Sequence, residues 1–205
     1  MAYPTVSAPY GFKPVNRQDG MPYAGATTQY AIKSVSTTIK NGDLVLITAG
    51  EVAKSGVTNN STTATNYTAG VFMGCQYVNT QGQTVQAQYY PGNAAASSAI
   101  AYVVVDQNAA FKVAVTNGSG VMSSTTVGAI GVNLVVDQTG TGSTITGDSG
   151  IGVTAPSAGL GNSASYPVKV IGVVPETATS STAFPEVLVV LTNPQLTRTT
   201  GVDFA

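Results

Sequence analysis

The sequence predicts an all-β chain: a β-barrel or sandwich body preceded by an extended, Pro/Tyr-rich N-terminal arm. Three observations point there. Apolar residues recur at every second position in short runs bounded by Gly, Asn and Pro; no segment sustains a helical period; and prolines and tyrosines crowd the start of the chain. With 205 residues, the chain is long enough for one domain with its own core, or one domain plus an arm.

The arm covers residues 1–31, where four of the ten prolines (Pro4, Pro9, Pro14, Pro22) and four of the ten tyrosines (Tyr3, Tyr10, Tyr23, Tyr30) fall. Prolines at that spacing break a helix and remove backbone donors, leaving a path close to polyproline II. Tyrosine joins a large apolar ring to a polar tip, which suits a segment lying along a protein surface, either a partner's or its own body's.

The body runs from 32 to 205. Asp43–Thr48 follows the pair Asn41-Gly42, a hairpin signal, and Ala69–Val78 is a second strand whose glycines mark a bulge or a close approach. Val85, Ala87 and Tyr89 alternate with Gln86, Gln88 and Tyr90, giving a strand with one wet face. Ala94–Ala99 is the one stretch compatible with a short helical turn, and Ile100–Val105 is a continuous apolar run expected in a central strand buried on both faces. Phe111, Val113 and Val115 alternate around Lys112 and Ala114 before a turn at Asn117-Gly118. A Gly/Ser/Thr-rich insertion at about 118–165 carries one strand, Val132–Val136; Val168–Val174 and Val187–Thr192 complete the body around a loop from Pro175 to Pro185. The echo Val104-Val105-Asp106-Gln107 and Val135-Val136-Asp137-Gln138 reads as two strands ended by Asp at a turn.

Composition narrows the function. Charged residues make up 8% of the chain, the formal charge is −1 and there is no histidine, where about 25% charged is usual. Eight scattered cations make no strong phosphate-binding patch, so no nucleic acid is expected as a partner. Without His and with Cys75 alone, the common zinc sites and Ser-His or Cys-His catalysis are excluded, and no disulfide can form within the chain. The apolar runs fall far short of a membrane span, and Met1–Thr5 does not resemble a signal peptide. Synthesis in the cytoplasm is expected, with no membrane partner and no cofactor. The sequons at Asn59, Asn60, Asn66 and Asn117 then read as ordinary polar loops. Low net charge permits self-association, as in proteins whose working state is an assembly.

Several motifs invite chemistry. Gly147-Asp148-Ser149-Gly150 spells a serine-protease nucleophile loop, but its base is missing and Lys169 or Lys112 has no flanking motif for a Ser-Lys dyad, so a tight turn is expected. Asp137 to Asp148 supplies two carboxylates where calcium wants six to eight oxygens. Asp43 with Glu51, or Glu176 with Glu186, could form a carboxylate pair, but neither pairing is marked by a motif. Cys75, in an apolar strand, reads as a buried thiol. The enzyme class is therefore not expected. Charge is uneven: residues 1–54 hold five cations and three anions, residues 55–205 three and six.

Stretches in order along nearly the whole chain resemble a family. They are Pro9–Val15 (PYGFKPV) with Met21–Thr27 (MPYAGAT), Ile39–Val45, Gly70–Tyr77 (GVFMGCQY), Gln88–Gly92 (QYYPG), Ala99–Asp106 (AIAYVVVD), Val127–Ala129 and Pro167–Val173 (PVKVIGV). The chain is similar to the capsid cement or decoration proteins of tailed, podovirus-like bacteriophages. It departs from them at Leu191–Gln195, where such proteins often carry a more polar, His-containing tail. The resemblance implies a virion structural protein with a β-barrel body, often a homotrimer, on the capsid exterior and bound to the major capsid protein across subunit junctions. An extended terminus would cross a capsomer junction, with Tyr3, Tyr10, Phe12, Lys13, Arg17, Tyr23 and Tyr30 as its partner-binding residues. Deleting residues 2–31 is then expected to leave a folded body that no longer binds shells. The alternative is a tail, fibre or host-adhesion component, which the same neutral β composition suits, although neither repeats nor heptads are present.

Overall fold

A computed structural model describes residues 6–34, 37–56, 67–92, 96–116, 129–154, 166–177, 184–192 and 194–197. The described residues form an all-β fold of several sheets. One six-stranded sheet runs β1 (Lys13–Arg17), β10 (Ala109–Ala114), β14 (Glu186–Leu191), β13 (Val168–Val173), β11 (Asn133–Asp137) and β12 (Gly152–Thr154). A second runs β2 (Thr28–Ala31), β9 (Ala96–Val104), β6 (Gly70–Asn79), β4 (Leu44–Thr48) and β5 (Glu51–Lys54), with β7 (Thr84–Ala87) also pairing with β6. A two-stranded ribbon joins β3 (Ile39–Lys40) to β8 (Tyr89–Tyr90). Every pairing between these strands is antiparallel, and no closed barrel is seen among the described residues.

Two apolar clusters hold the sheets. The larger takes Phe111, Val113, Leu134, Val136, Val168, Val170, Val187 and Val189 from the first sheet and Leu44, Val71 and Val104 from the second, with Phe12 among them. The smaller lies with the second sheet and includes Val45, Ile47, Val52, Phe72, Cys75, Ala101, Val103 and Tyr90. In β4, β6 and β9, neighbouring residues point to opposite faces, so Leu44 and Val45, Val71 and Phe72, and Val104 and Val103 feed different clusters. That explains why these strands read as continuous apolar runs.

Several expectations change. Asn41-Gly42 turns the chain but does not make a hairpin, because β3 pairs with β8 while β4 pairs with β5 and β6. Asp43 N–H donates to Lys40 O at 2.9 Å and Gly42 has φ +92°, a turn whose left-handed residue stands third, as in type II. The Ala94–Ala99 helical turn is contradicted over its described part, since β9 begins at Ala96; pairing with Asn79 and Val78 outweighs the helix propensity of alanine. Ile100–Val105 is central, between β2 and β6, yet only Ala101, Val103 and Val104 are buried, while Ile100 is exposed. Tyr90 falls on the core side because a break at Gln88 separates β7 from β8. The described part of the Gly-rich stretch supplies β11 and β12 to the first sheet, while the turn at Asn117-Gly118 lies outside the described residues.

Candidate functional site

The sequence points to the N-terminal segment, and the fold weaves it into both sheets. β1 pairs with β10, and β2 pairs with β9. Four sets of contacts fix it, and each includes a partner from far along the chain.

Phe12 is the apolar anchor. It is fully buried and meets Phe111 edge-to-face, with ring centroids 6.3 Å apart. Its backbone N–H donates to Gly42 O at 3.0 Å, and Gly11 N–H donates to Ile151 O at 3.0 Å. The chains approach so closely that a Cβ on Gly11 would lie 2.7 Å from Ser149 Cβ and 2.9 Å from Gly42 Cα. Gly11 and Gly42 also adopt φ +80° and +92°, where a side chain is strained.

Tyr10 closes the second set. Its hydroxyl donates to Glu186 Oε1, Lys112 Nζ lies 3.1 Å from the same oxygen, and that ammonium sits 5.7 Å from the Tyr10 ring centroid. Burial, followed by the Glu186 carboxylate it bonds, pushes the Tyr10 hydroxyl far above the ordinary tyrosine range, so it stays a donor. Glu186 is nearly buried, and Lys112 balances its charge.

The third set centres on Lys13. Its Nζ lies 2.6 Å from Asp148 Oδ1 and 2.6 Å from Asn41 Oδ1. The bond from Lys13 holds the Asp148 carboxyl below the ordinary aspartate range. Behind Asn41, the fully buried Asp43 accepts from Ser149 Oγ at 2.5 Å and from Lys40 N–H at 2.8 Å, and lies 3.0 Å from Lys54 Nζ. Ser149, the nucleophile of the protease-like string, is therefore a buried donor that fixes the turn. Arg17 makes the fourth set, with Nε 3.2 Å from Asp106 and a terminal nitrogen 3.6 Å from Asp19.

Of the remaining predicted residues, Tyr23 packs against the larger cluster and its hydroxyl donates to Ala26 O, Tyr30 packs against the smaller cluster from β2, and Tyr3 lies outside the described residues. The structure thus brings Tyr10, Phe12, Lys13 and Arg17 onto the chain's own body. What the segment leaves exposed is the connection between its strands: Gln18–Pro22 and Ala24–Thr27 are open to solvent, and Met21 is 59% exposed.

The other candidates resolve simply. Asp137 accepts from Thr139 N–H and Oγ1 in its own loop while Asp148 serves Lys13; among the described residues, no group of three or more acids or cysteines could hold a metal ion. Asp43 and Glu186 are each engaged by a lysine. Glu51 lines a surface pocket of about 370 Å³ with Ser34, Ser97 and Ser98. A second, of about 320 Å³, has Met73, Gly74, Cys75 and Tyr102 in its wall. Burial pushes the Cys75 thiol up to about 12, and Sγ lies 3.4 Å from Tyr89 O, so it is protonated at neutral pH.

No family model matches the chain, nor does any curated protein or solved structure.

Proposed function

We propose that the protein is a structural component of a tailed-phage virion, a cement protein that grips the outside of the mature shell across junctions of the major capsid protein. In this reading the two six-stranded sheets form a sandwich-like body that assembles as a homotrimer. The reading rests on the resemblance and on the nearly charge-free, turn-rich composition. The observation that carries the contact surface is the connection Gln18–Thr27, exposed on both sides of Tyr23 and held at one end by β1 in the first sheet and at the other by β2 in the second.

The connection turns back on itself, with Arg17 N–H donating to Met21 O at 2.8 Å and Asn16 bridging Pro22, and a turn held in this way is pre-ordered, which lowers the entropic cost of docking it. Met21 supplies exposed apolar area there and adapts to irregular surfaces. A clamp that fits only the expanded geometry of the shell stabilises that geometry by linkage, and repetition over the lattice multiplies a modest affinity per site.

The test is co-sedimentation of purified protein with expanded and unexpanded shells. Saturable binding to expanded shells, weakened at least tenfold (about 1.4 kcal/mol) by Met21→Glu, is expected. Unchanged binding by a folded Met21→Glu protein would remove this connection from the interface, and no binding to any shell would remove the cement reading.

A further inference from the structure

We propose that Lys13 and Asn41 are a latent isopeptide pair, in which the lysine amine displaces the side-chain amide of Asn41 and covalently staples the N-terminal segment to the body. Nucleophile, electrophile and proton carrier meet at one point. Lys13 Nζ lies 2.6 Å from Asn41 Oδ1, so with a C=O bond of about 1.2 Å it is at most about 3.8 Å from Asn41 Cγ. Asp148 Oδ1 stands 2.6 Å from the same nitrogen. Asn41 is nearly buried, and its Nδ2 donates to Met73 O at 2.7 Å, which holds the carboxamide with its oxygen toward the lysine. Attack needs only a short move of the nitrogen from the oxygen to the carbonyl face, to within about 3–3.5 Å of Cγ, and an approach confined in this way is where intramolecular reactions gain most of their rate.

The competing reaction is held back. In an Asn-Gly pair the glycine backbone nitrogen is the usual attacker of the asparagine side chain, but Gly42 N–H is tied to Phe72 O at 2.8 Å. Of the two nucleophiles within reach of Cγ, the fold restrains one and presents the other.

The step balances without an outside reagent. Lys13 resting as ammonium loses one proton to solvent, and the neutral amine adds to Cγ. The ionised Asp148 takes the second proton from that nitrogen and delivers it to the departing NH₂. A C–N bond to lysine forms, the C–N bond to the amide nitrogen breaks, and ammonia leaves. Because only a neutral amine adds to a carboxamide, the reaction runs faster in alkaline solution. The charged groups around the pair are Asp148, the Asp43–Lys54 pair, and Lys112 across from Lys13 on β10, itself bound to Glu186, while the Lys40 ammonium is taken up by Thr141 O. The partial exposure of Lys13 and Asp148 keeps their ion pair solvated, so the bond forms slowly.

The experiment is intact-mass spectrometry of the full chain, folded as judged by circular dichroism, during prolonged incubation at neutral and mildly alkaline pH. The expected result is loss of one ammonia, faster at the higher pH, with a branched peptide joining Lys13 to Asn41 in the digest. A succinimide at Asn41 would show the same loss of mass, but it has no branch and persists in Lys13→Arg. Unchanged mass, or a loss that survives Lys13→Arg, would overturn the proposal. Loss at the original rate in Asp148→Asn would overturn the role given to Asp148. The digest of the unsubstituted chain decides the matter even if a variant fails to fold.

Discussion

Replacing Phe12 by alanine separates a segment built into the core from an arm resting on it. Phe12 is fully buried, lies edge-to-face on Phe111 and joins the cluster fed by both six-stranded sheets. Truncating a buried Phe costs about 3–5 kcal/mol when the site does not collapse. The N–H of Phe12 and that of Gly11 are pinned to Gly42 and Ile151, so collapse is restricted and the upper half of that range applies. Against a typical domain stability of about 5–15 kcal/mol, the change is a large fraction. At roughly 2–4 °C per kcal/mol for a chain of this size, the melting temperature should fall by roughly 8–20 °C. Urea unfolding followed by circular dichroism measures it, with the slope unchanged and the midpoint lowered. A loss below about 1 kcal/mol, typical of a surface change, would refute the claim that the segment is core. By the same reasoning, deletion of residues 2–31, expected from sequence to leave a folded body, should instead unfold it, since it removes β1, β2 and Phe12 together.

Further outcomes follow from the same contacts. Tyr10→Phe leaves the nearly buried Glu186 with Lys112 but without its hydroxyl donor, and should cost about 1.5–3 kcal/mol, read by urea titration. Gly42→Ala forces a side chain to φ +92° with its Cβ 2.9 Å from Phe12 N; the strain alone is about 1–3 kcal/mol, and a melting temperature equal to wild type would contradict the turn. Asp148 is held below the ordinary aspartate range by Lys13; Asp137 is also held low, burial pushing it up but hydrogen bonds from Thr116 and Thr139 outweighing that. Because both folded values are depressed, their stabilisation is fully present above about pH 4 and is lost as pH falls through the folded values. Asp148→Asn should therefore flatten the fall in melting temperature in acid. Cys75 should resist thiol reagents at neutral pH until the protein is unfolded; rapid labelling of the native chain would contradict its burial.

The strands were legible where one face is wet or where a β-branched run has both faces covered, as in β7, β10, β13 and β14. Ala49-Gly50, which joins β4 to β5, was not: Ala49 takes φ +51°, a conformation that alanine seldom adopts and no composition rule marks. Asn41-Gly42 announced a turn, but its partner strands are chosen by the sheets rather than by the dipeptide. The contacts on the N-terminal segment were the least legible part of the site. Lys13 meets Asp148 across 135 positions, and Tyr10 meets Glu186 across 176, separations at which no local pattern survives. The Gly-Asp-Ser-Gly string carried a signal of a different kind: its small residues allow Ser149 to approach Gly11 and reach the buried Asp43.

The proposed function is tested most directly by the copy number of this protein in purified virions, by quantitative mass spectrometry against the major capsid protein. A number comparable to that of the major capsid protein is expected for a cement distributed over the lattice. Absence from virions, or a count at the level of the portal or tail, would contradict it.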